Sequence, residues 1–152
     1  MNIKGIAIAG DHGGLCLKTY LKDHLLRQGY NILDCGTHTE KSVDYPDFAR
    51  EVVKRILYGE YPRGILVCGT GQGMAMTANG YQGIRAAVCS DTFSARLSRE
   101  HNDSNILCLG ERVIGKGTAL DVCEAWLKAK FEGGRHQKRV ELLEIGKLGA
   151  KI

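Results

Sequence analysis

Five short apolar runs, separated by stretches of helical spacing, constrain this 152-residue chain more than any other feature of its sequence. The runs fall at about 3–9 (Ile-Lys-Gly-Ile-Ala-Ile-Ala), 30–34, 64–68, 84–88 and 105–109, and are rich in Ile, Val and Leu. Runs this short suit buried strands. Between them the spacing predicts helices over about 14–28, 46–58, 71–79, 92–101 and 116–131. In the first of these, Leu17, Leu21 and Leu25, with Tyr20 and Leu26, trace one apolar stripe. Pro46 fits a first helical turn. A last helix, about 136–146, follows the Gly133-Gly134 break. Repeated strand–helix units imply right-handed crossovers, hence a mostly parallel sheet covered on both faces. By length the chain is expected to form one α/β domain spanning 1–152.

Ligands of such sheets bind beyond the carboxyl ends of the strands. That rule selects Gly10-Asp11-His12-Gly13-Gly14 after the first run, Cys68-Gly69-Thr70-Gly71-Gln72-Gly73 after the third, and Gly110-Glu111-Arg112 after the fifth. The Cys68 loop is the most informative. A strand entering a glycine loop and then a helix sets backbone N–H groups around a concave anion site. A thiol at its lip is a candidate nucleophile or base. The bland alternative is a buried cysteine beside a packing turn. Three glycines in five residues argue against it, because they let something approach the backbone closely.

The loop resembles known phosphate motifs without matching one. Met74 stands where a dinucleotide fingerprint needs its third glycine, and where a cysteine phosphatase loop needs its arginine. Gly110-Glu111-Arg112-Val113-Ile114-Gly115-Lys116 misses a P-loop because Gly117 occupies the Ser/Thr position. Three further signals sit at element ends. Asp11-His12 can move protons near neutral pH, or simply cap the next helix. His101-Asn102 ends a helix, where such a pair is often only a cap. Arg135 and Arg139, four apart, share a helical face and can grip a phosphate or merely face solvent.

Composition narrows the class. The net charge of +4 resides in the tail: from Lys128 onward there are seven basic and three acidic residues. A nucleic-acid binder would carry a broader basic stripe with interleaved aromatics, so a small anion suits this cluster better. The six cysteines include no C-x-x-C pair and the five histidines no zinc-type spacing, so reduced thiols and no metal are expected. No twenty-residue apolar run exists, and the N-terminus lacks a signal-type stretch, so no membrane association and a cytoplasmic location are expected.

Taken together, Asp11-His12, Asp44-Tyr45-Pro46, Cys68-Gly-Thr-Gly, Asn79, Gly83-Ile84-Arg85-Ala86, His101-Asn102-Asp103, Arg112-Val113 and Glu132-Gly133-Gly134-Arg135-His136 resemble the type B ribose-5-phosphate isomerases. That family also contains the subunits of galactose-6-phosphate isomerase. The resemblance covers nearly the whole chain. It implies a Rossmann-like three-layer α/β/α sandwich, with the five-stranded mostly parallel sheet and the C-terminal helix read above. It further implies a homodimer or dimer of dimers, no cofactor, and interconversion of ribose 5-phosphate and ribulose 5-phosphate. Two positions depart from the pattern. Met74 occupies the place where one branch keeps a glutamate base, so the base role falls to Cys68. Gly80-Tyr81-Gln82 follows Asn79 where a lysine is expected.

The expected chemistry is an enediolate isomerisation. Cys68 carries the proton between C2 and C1, and backbone N–H groups from Gly69 through Gly71 and Gln72 to Gly73 hold the enediolate oxygens. Thr70 and Asp11 pass protons between those oxygens. By resemblance His101 opens the furanose ring, His12, Arg112, Arg135 and Arg139 hold the phosphate, and Asn102 and Tyr45 line the sugar. A six-carbon sugar phosphate, such as galactose or allose 6-phosphate, is the alternative substrate. A nucleotide-binding regulatory module and a non-catalytic partner subunit are the alternatives of other classes. Finally, Cys68 ends a strand whereas His101 precedes one, so they lie at opposite sheet edges, roughly 16 Å apart for five residues at ~3.3 Å each. A substrate touching both requires two subunits with shared sites.

Overall fold

The structure is a computed structural model describing residues 5–147 and 149. Strands β1 (Gly5–Gly10), β2 (Asn31–Asp34), β3 (Arg63–Cys68), β4 (Ala86–Val88) and β5 (Ile106–Gly110) alternate with helices α1 (Leu15–Arg27), α2 (Tyr45–Leu57), α3 (Gln72–Ala78), α4 (Thr92–Glu100) and α5 (Lys116–Lys128). Helix α6 (Arg135–Leu143) follows α5, and a 3-10 turn, His12–Gly14, joins β1 to α1. Positions 3 and 4 of the first apolar run, and Lys151 of the basic tail, lie outside the described residues.

Every pairing is parallel, in the order β2-β1-β3-β5-β4. The central strands β1 and β5 are buried throughout, and β3 is buried after Arg63, as expected of a sheet covered on both faces. Alternate residues feed two cores. Ile6, Ile8, Ile65, Val67, Leu107 and Leu109 meet Leu17, Leu21 and Leu25 of α1 and Val122 and Trp126 of α5. Ala7, Ala9, Leu66, Cys68, Ile106 and Cys108 meet Val52 and Val53 of α2 and Met74 and Ala78 of α3. The result is the expected Rossmann-like α/β/α sandwich.

Element ends differ from expectation where side chains intervene. The fourth run yields a strand only from Ala86, not from 84. Ile84 closes a turn onto Tyr81, and the Arg85 N–H donates to the Asn105 side chain instead of a ladder. Helix α5 ends at Lys128 instead of 131, because Ala129 is already extended. Helix α6 starts one residue early and ends at Leu143, short of 146. Glu144 just beyond it accepts the Gly83 N–H at 2.8 Å and lies 3.2 Å from Arg85, tying the helix end to the loop before β4.

Candidate active site

The strand order turns back between β1 and β3: β2 lies on one side of β1, and β3, β5 and β4 on the other. The loops leaving β1 and β3 therefore diverge, and the crevice at such a switch point is where ligands bind in open α/β sheets. Asp11-His12 and the Cys68 loop occupy it.

Close backbone packing builds this half of the site. A Cβ on Gly14 would lie 2.3 Å from the Val67 carbonyl oxygen, and one on Gly110 would lie 2.8 Å from the Thr70 backbone. The Asp11 N–H donates to Val67 O, Glu111 N–H to Cys68 O at 2.9 Å, and Arg112 N–H to Gly69 O at 3.0 Å. The three loops are thus laced together. Gly71 takes φ +80°, and its N–H donates to Cys68 Sγ at 3.1 Å, while the Gln72 N–H donates to Thr70 Oγ1 at 3.3 Å. The thiol of Cys68 is buried with one backbone donor aimed at it.

The glycines of the loop serve the protein's own packing as well as a ligand. A methyl on Gly73 would lie 2.6 Å from the Tyr45 ring, and one on Gly69 would lie 3.4 Å from the Arg112 guanidinium. Tyr45 and Arg112 are thereby brought onto the Cys68 loop from α2 and from the loop after β5. Asp11 is 7% exposed, and its Oδ1 is buried without a hydrogen-bond partner, an acceptor facing this cluster. The position of Gly13, whose Cβ would lie 3.3 Å from Asp11 Oδ1 and 3.7 Å from Arg112 Nη2, marks how near the two charges stand. His12 Nδ1 accepts the Val43 N–H at 3.2 Å, so the neutral ring carries its hydrogen on Nε2 and presents it as a donor. A cleft of about 600 Å³ opens beside His12, lined also by Cys16, Tyr20, Glu111 and Lys116; Cys68 does not line it.

The remaining candidates stand at the other edge of the sheet. His101 is the C-terminal cap of α4 and precedes β5, whereas Cys68 ends β3 opposite Gly110 at the far end of β5. Asn102 lines a separate cleft of about 360 Å³ with Arg85, Ser98 and Lys147. The Glu132 N–H donates to Glu100 O at 3.0 Å, which brings the start of α6 to the end of α4. Arg135 and Arg139, on α6, are exposed there. Asp11, His12, Tyr45, Cys68 to Gly73 and Arg112 therefore form one group, and His101, Asn102, Arg135 and Arg139 another. One chain does not bring the two groups together.

Two residues at the second edge, Glu132 and His136, belong to the Glu132-Gly133-Gly134-Arg135-His136 motif but have no role assigned by the sequence. His136 stacks on His101, ring centroids 4.2 Å apart and planes 10° apart. Glu132 Oε2 lies 3.4 Å from His136 Nε2 and 4.0 Å from His101 Nε2. These are the one group among the described residues with ligand atoms close enough for a metal, all within 4.8 Å of one another. The geometry suits an ion poorly. Imidazole lone pairs lie in the ring plane, and two nearly parallel planes do not converge on one point.

Asn79 is absorbed by structure. Its side chain donates to Ala86 O at 2.9 Å and accepts the Ala86 N–H at 2.8 Å, pinning α3 to β4. No described helix is long and apolar enough to cross a membrane.

The comparisons with known proteins settle the family. The sequence model of the Ribose/Galactose Isomerase family matches residues 6–143. The chain belongs to the ribose/galactose isomerase family. Within it, ribose-5-phosphate isomerase B of Escherichia coli (strain K12) is 47% identical over 141 residues, covering 93% of this chain and 95% of that protein. The structure of Clostridium thermocellum ribose-5-phosphate isomerase B superposes with a TM-score of 0.91 at 53% identity, covering 92% of this chain and 95% of that one. The Mycoplasma genitalium ribose-5-phosphate isomerase B with bound ribulose-5-phosphate superposes with a TM-score of 0.88 at 39% identity, covering 91% and 93%.

Proposed function

We infer that this isomerase-family chain interconverts ribose 5-phosphate and ribulose 5-phosphate. The observation that carries the reading is the buried Cys68 thiol in a laced glycine loop at the switch point, beside an unpartnered Asp11 oxygen. Near full-length similarity to proteins named ribose-5-phosphate isomerase B supports it.

In this reading Cys68, as thiolate, takes the proton from C2 of the open-chain aldose. The C2–H electron pair forms the C1–C2 double bond, and the carbonyl electrons move onto O1. Loop N–H groups between Gly69 and Gly73 stabilise that charge, each donor contributing roughly 3–4 kcal/mol in comparable sites. Thr70 or Asp11 carries a proton from O2 to O1, and Cys68 returns its proton to C1 as the C2 carbonyl forms. His101 donates to the ring oxygen when the furanose opens. His12, Arg112, Arg135 and Arg139 hold the phosphate, and Tyr45 and Asn102 line the sugar. The two groups lie at opposite edges, so the working unit is a homodimer, or a dimer of dimers, with each site drawn from two subunits. Six unpaired cysteines suit a reducing compartment, and we assign the enzyme to the cytoplasm.

A coupled assay on a panel of pentose and hexose phosphates tests this. Turnover is expected with ribose 5-phosphate well above that with galactose 6-phosphate or allose 6-phosphate. A hexose phosphate turned over faster than ribose 5-phosphate overturns the substrate assignment; no isomerisation of any member overturns the activity.

A further inference from the structure

His101 is held by more than its place at the end of α4. Its side chain is 35% exposed, and the covered face of the ring lies flat on His136. His136 is 5% exposed, in the first turn of α6, and its N–H donates to Gly133 O at 2.9 Å. Its Nε2 has no hydrogen-bond partner among the described residues, although Glu132 Oε2 stands 3.4 Å away. The groups facing His136 are Glu132 from the loop before α6, His101 from α4, and Arg135 and Arg139 from α6 itself.

Two stacked imidazoles do not both hold a proton at low cost, because like charges would face each other with little water between them. Burial lowers the proton affinity of His136, and His101, Arg135 and Arg139 lower it further, against the pull of Glu132. The same carboxylate stands 4.0 Å from Nε2 of the more exposed ring, His101. A furanose opens when the C1–O4 bond breaks, O1 loses its proton to a base and becomes the carbonyl oxygen, and O4 gains a proton. The donor to O4 has to carry a proton beforehand and be fixed in orientation.

We propose that His136 and Glu132 are positioning residues for the ring-opening step: His136 clamps the plane of His101 by stacking on it, and Glu132, beside both rings, holds the pair in place. The inference rests on the reading of His101 as the ring opener. A neutral stacking partner and a shared carboxylate explain together why a buried histidine stands with an unpartnered nitrogen beside a glutamate.

The test compares ribose 5-phosphate with 4-deoxyribose 5-phosphate, an aldose phosphate that lacks the ring-closing hydroxyl and stays open. For His136→Ala and Glu132→Gln, kcat on ribose 5-phosphate is expected to fall about tenfold, and on the open-chain substrate by less than about threefold. His136→Phe keeps a flat neutral ring and should recover most of the loss. Equal losses on both substrates, or no recovery in His136→Phe, overturn the positioning role. Turnover of the open-chain substrate also reports that each variant folds. His101→Ala is measured in parallel. If it loses both substrates equally, the ring-opener reading itself fails, an outcome distinct from failure of the His136 and Glu132 variants alone.

Discussion

Six cysteines share one side chain here but not one environment. Burial pushes the thiols of Cys35 (to about 11), Cys89, Cys108 and Cys123 up, which makes them inert core residues. Cys16 is exposed, and Cys68 is buried with a backbone N–H aimed at its sulfur. Cys68→Ser is therefore expected to retain the fold and phosphate binding while losing at least about a hundredfold in kcat, since a serine hydroxyl is far too weak an acid to supply an anionic base near pH 7. Steady-state assays with competitive inhibition by inorganic phosphate check both halves, and kcat within a few-fold of the parent would name another base. Iodoacetamide should inactivate a Cys16→Ser variant, and substrate should protect it. At this scale the sequence was readable where the candidate site is local: a thiol, three glycines and a strand end lie within six residues. His136 was not readable as a partner of His101, because the contact joins residues 35 positions apart that no periodicity relates.

The elements were legible because strand and helix periods are set by backbone geometry over a few residues. What brings them together is less visible. Gly64 of β3 lies under α2: a Cβ there would stand 2.5 Å from Val52 Cγ1, with Ile56 and Ile106 close behind. Gly64→Ala is expected to cost about 1–3 kcal/mol by overpacking, and Val52→Ala in the same chain should return part of that loss; urea denaturation of the single and double variants measures both. A second device ties α1 to β2. Lys18, 1% exposed, donates to Asp34 Oδ1 and Thr37 O, each at 2.7 Å, and Lys22 reaches the other Asp34 oxygen at 3.0 Å. Burial alone would raise the Asp34 carboxyl, but Lys18, the Gly36 N–H and Lys22 hold it below the usual carboxylate range. A carboxyl with a depressed folded pKa stabilises the fold above its unfolded value, about 3.9, and the gain is lost as pH falls through the folded value. Asp34→Asn should cost about 3 kcal/mol at pH 7 by leaving the Lys18 ammonium buried without its counter-charge, and its stability should fall less than the parent's between pH 5 and about pH 2. Chemical denaturation across that range tests the sign. An equal decline in parent and variant would remove Asp34 from the acid response.

At the scale of the whole molecule, the sheet places half of the candidate site at each edge. Cys68 is level with Gly110 at the carboxyl end of β5, while His101 precedes that strand's first residue. If both act on one sugar, Cys68→Ala and His101→Ala, each inactive alone on ribose 5-phosphate, should complement after subunit exchange. Random pairing makes half the dimers mixed with one intact site of two, so about one quarter of parental activity should return. Mixed dimers confirmed by mass spectrometry without recovered activity would sink the shared site. The alternation of apolar runs and helical spacing by itself determined the layered parallel sheet, and the loop sequences by themselves marked Asp11, His12 and Cys68. Both follow from physics acting over a few neighbouring residues. Only the tertiary structure decided that β5 sits between β3 and β4, that Lys18 is buried on Asp34, and that Glu132 and His136 stand against His101. Those arrangements depend on which crossover packs where, and no local spacing in the chain encodes that distance.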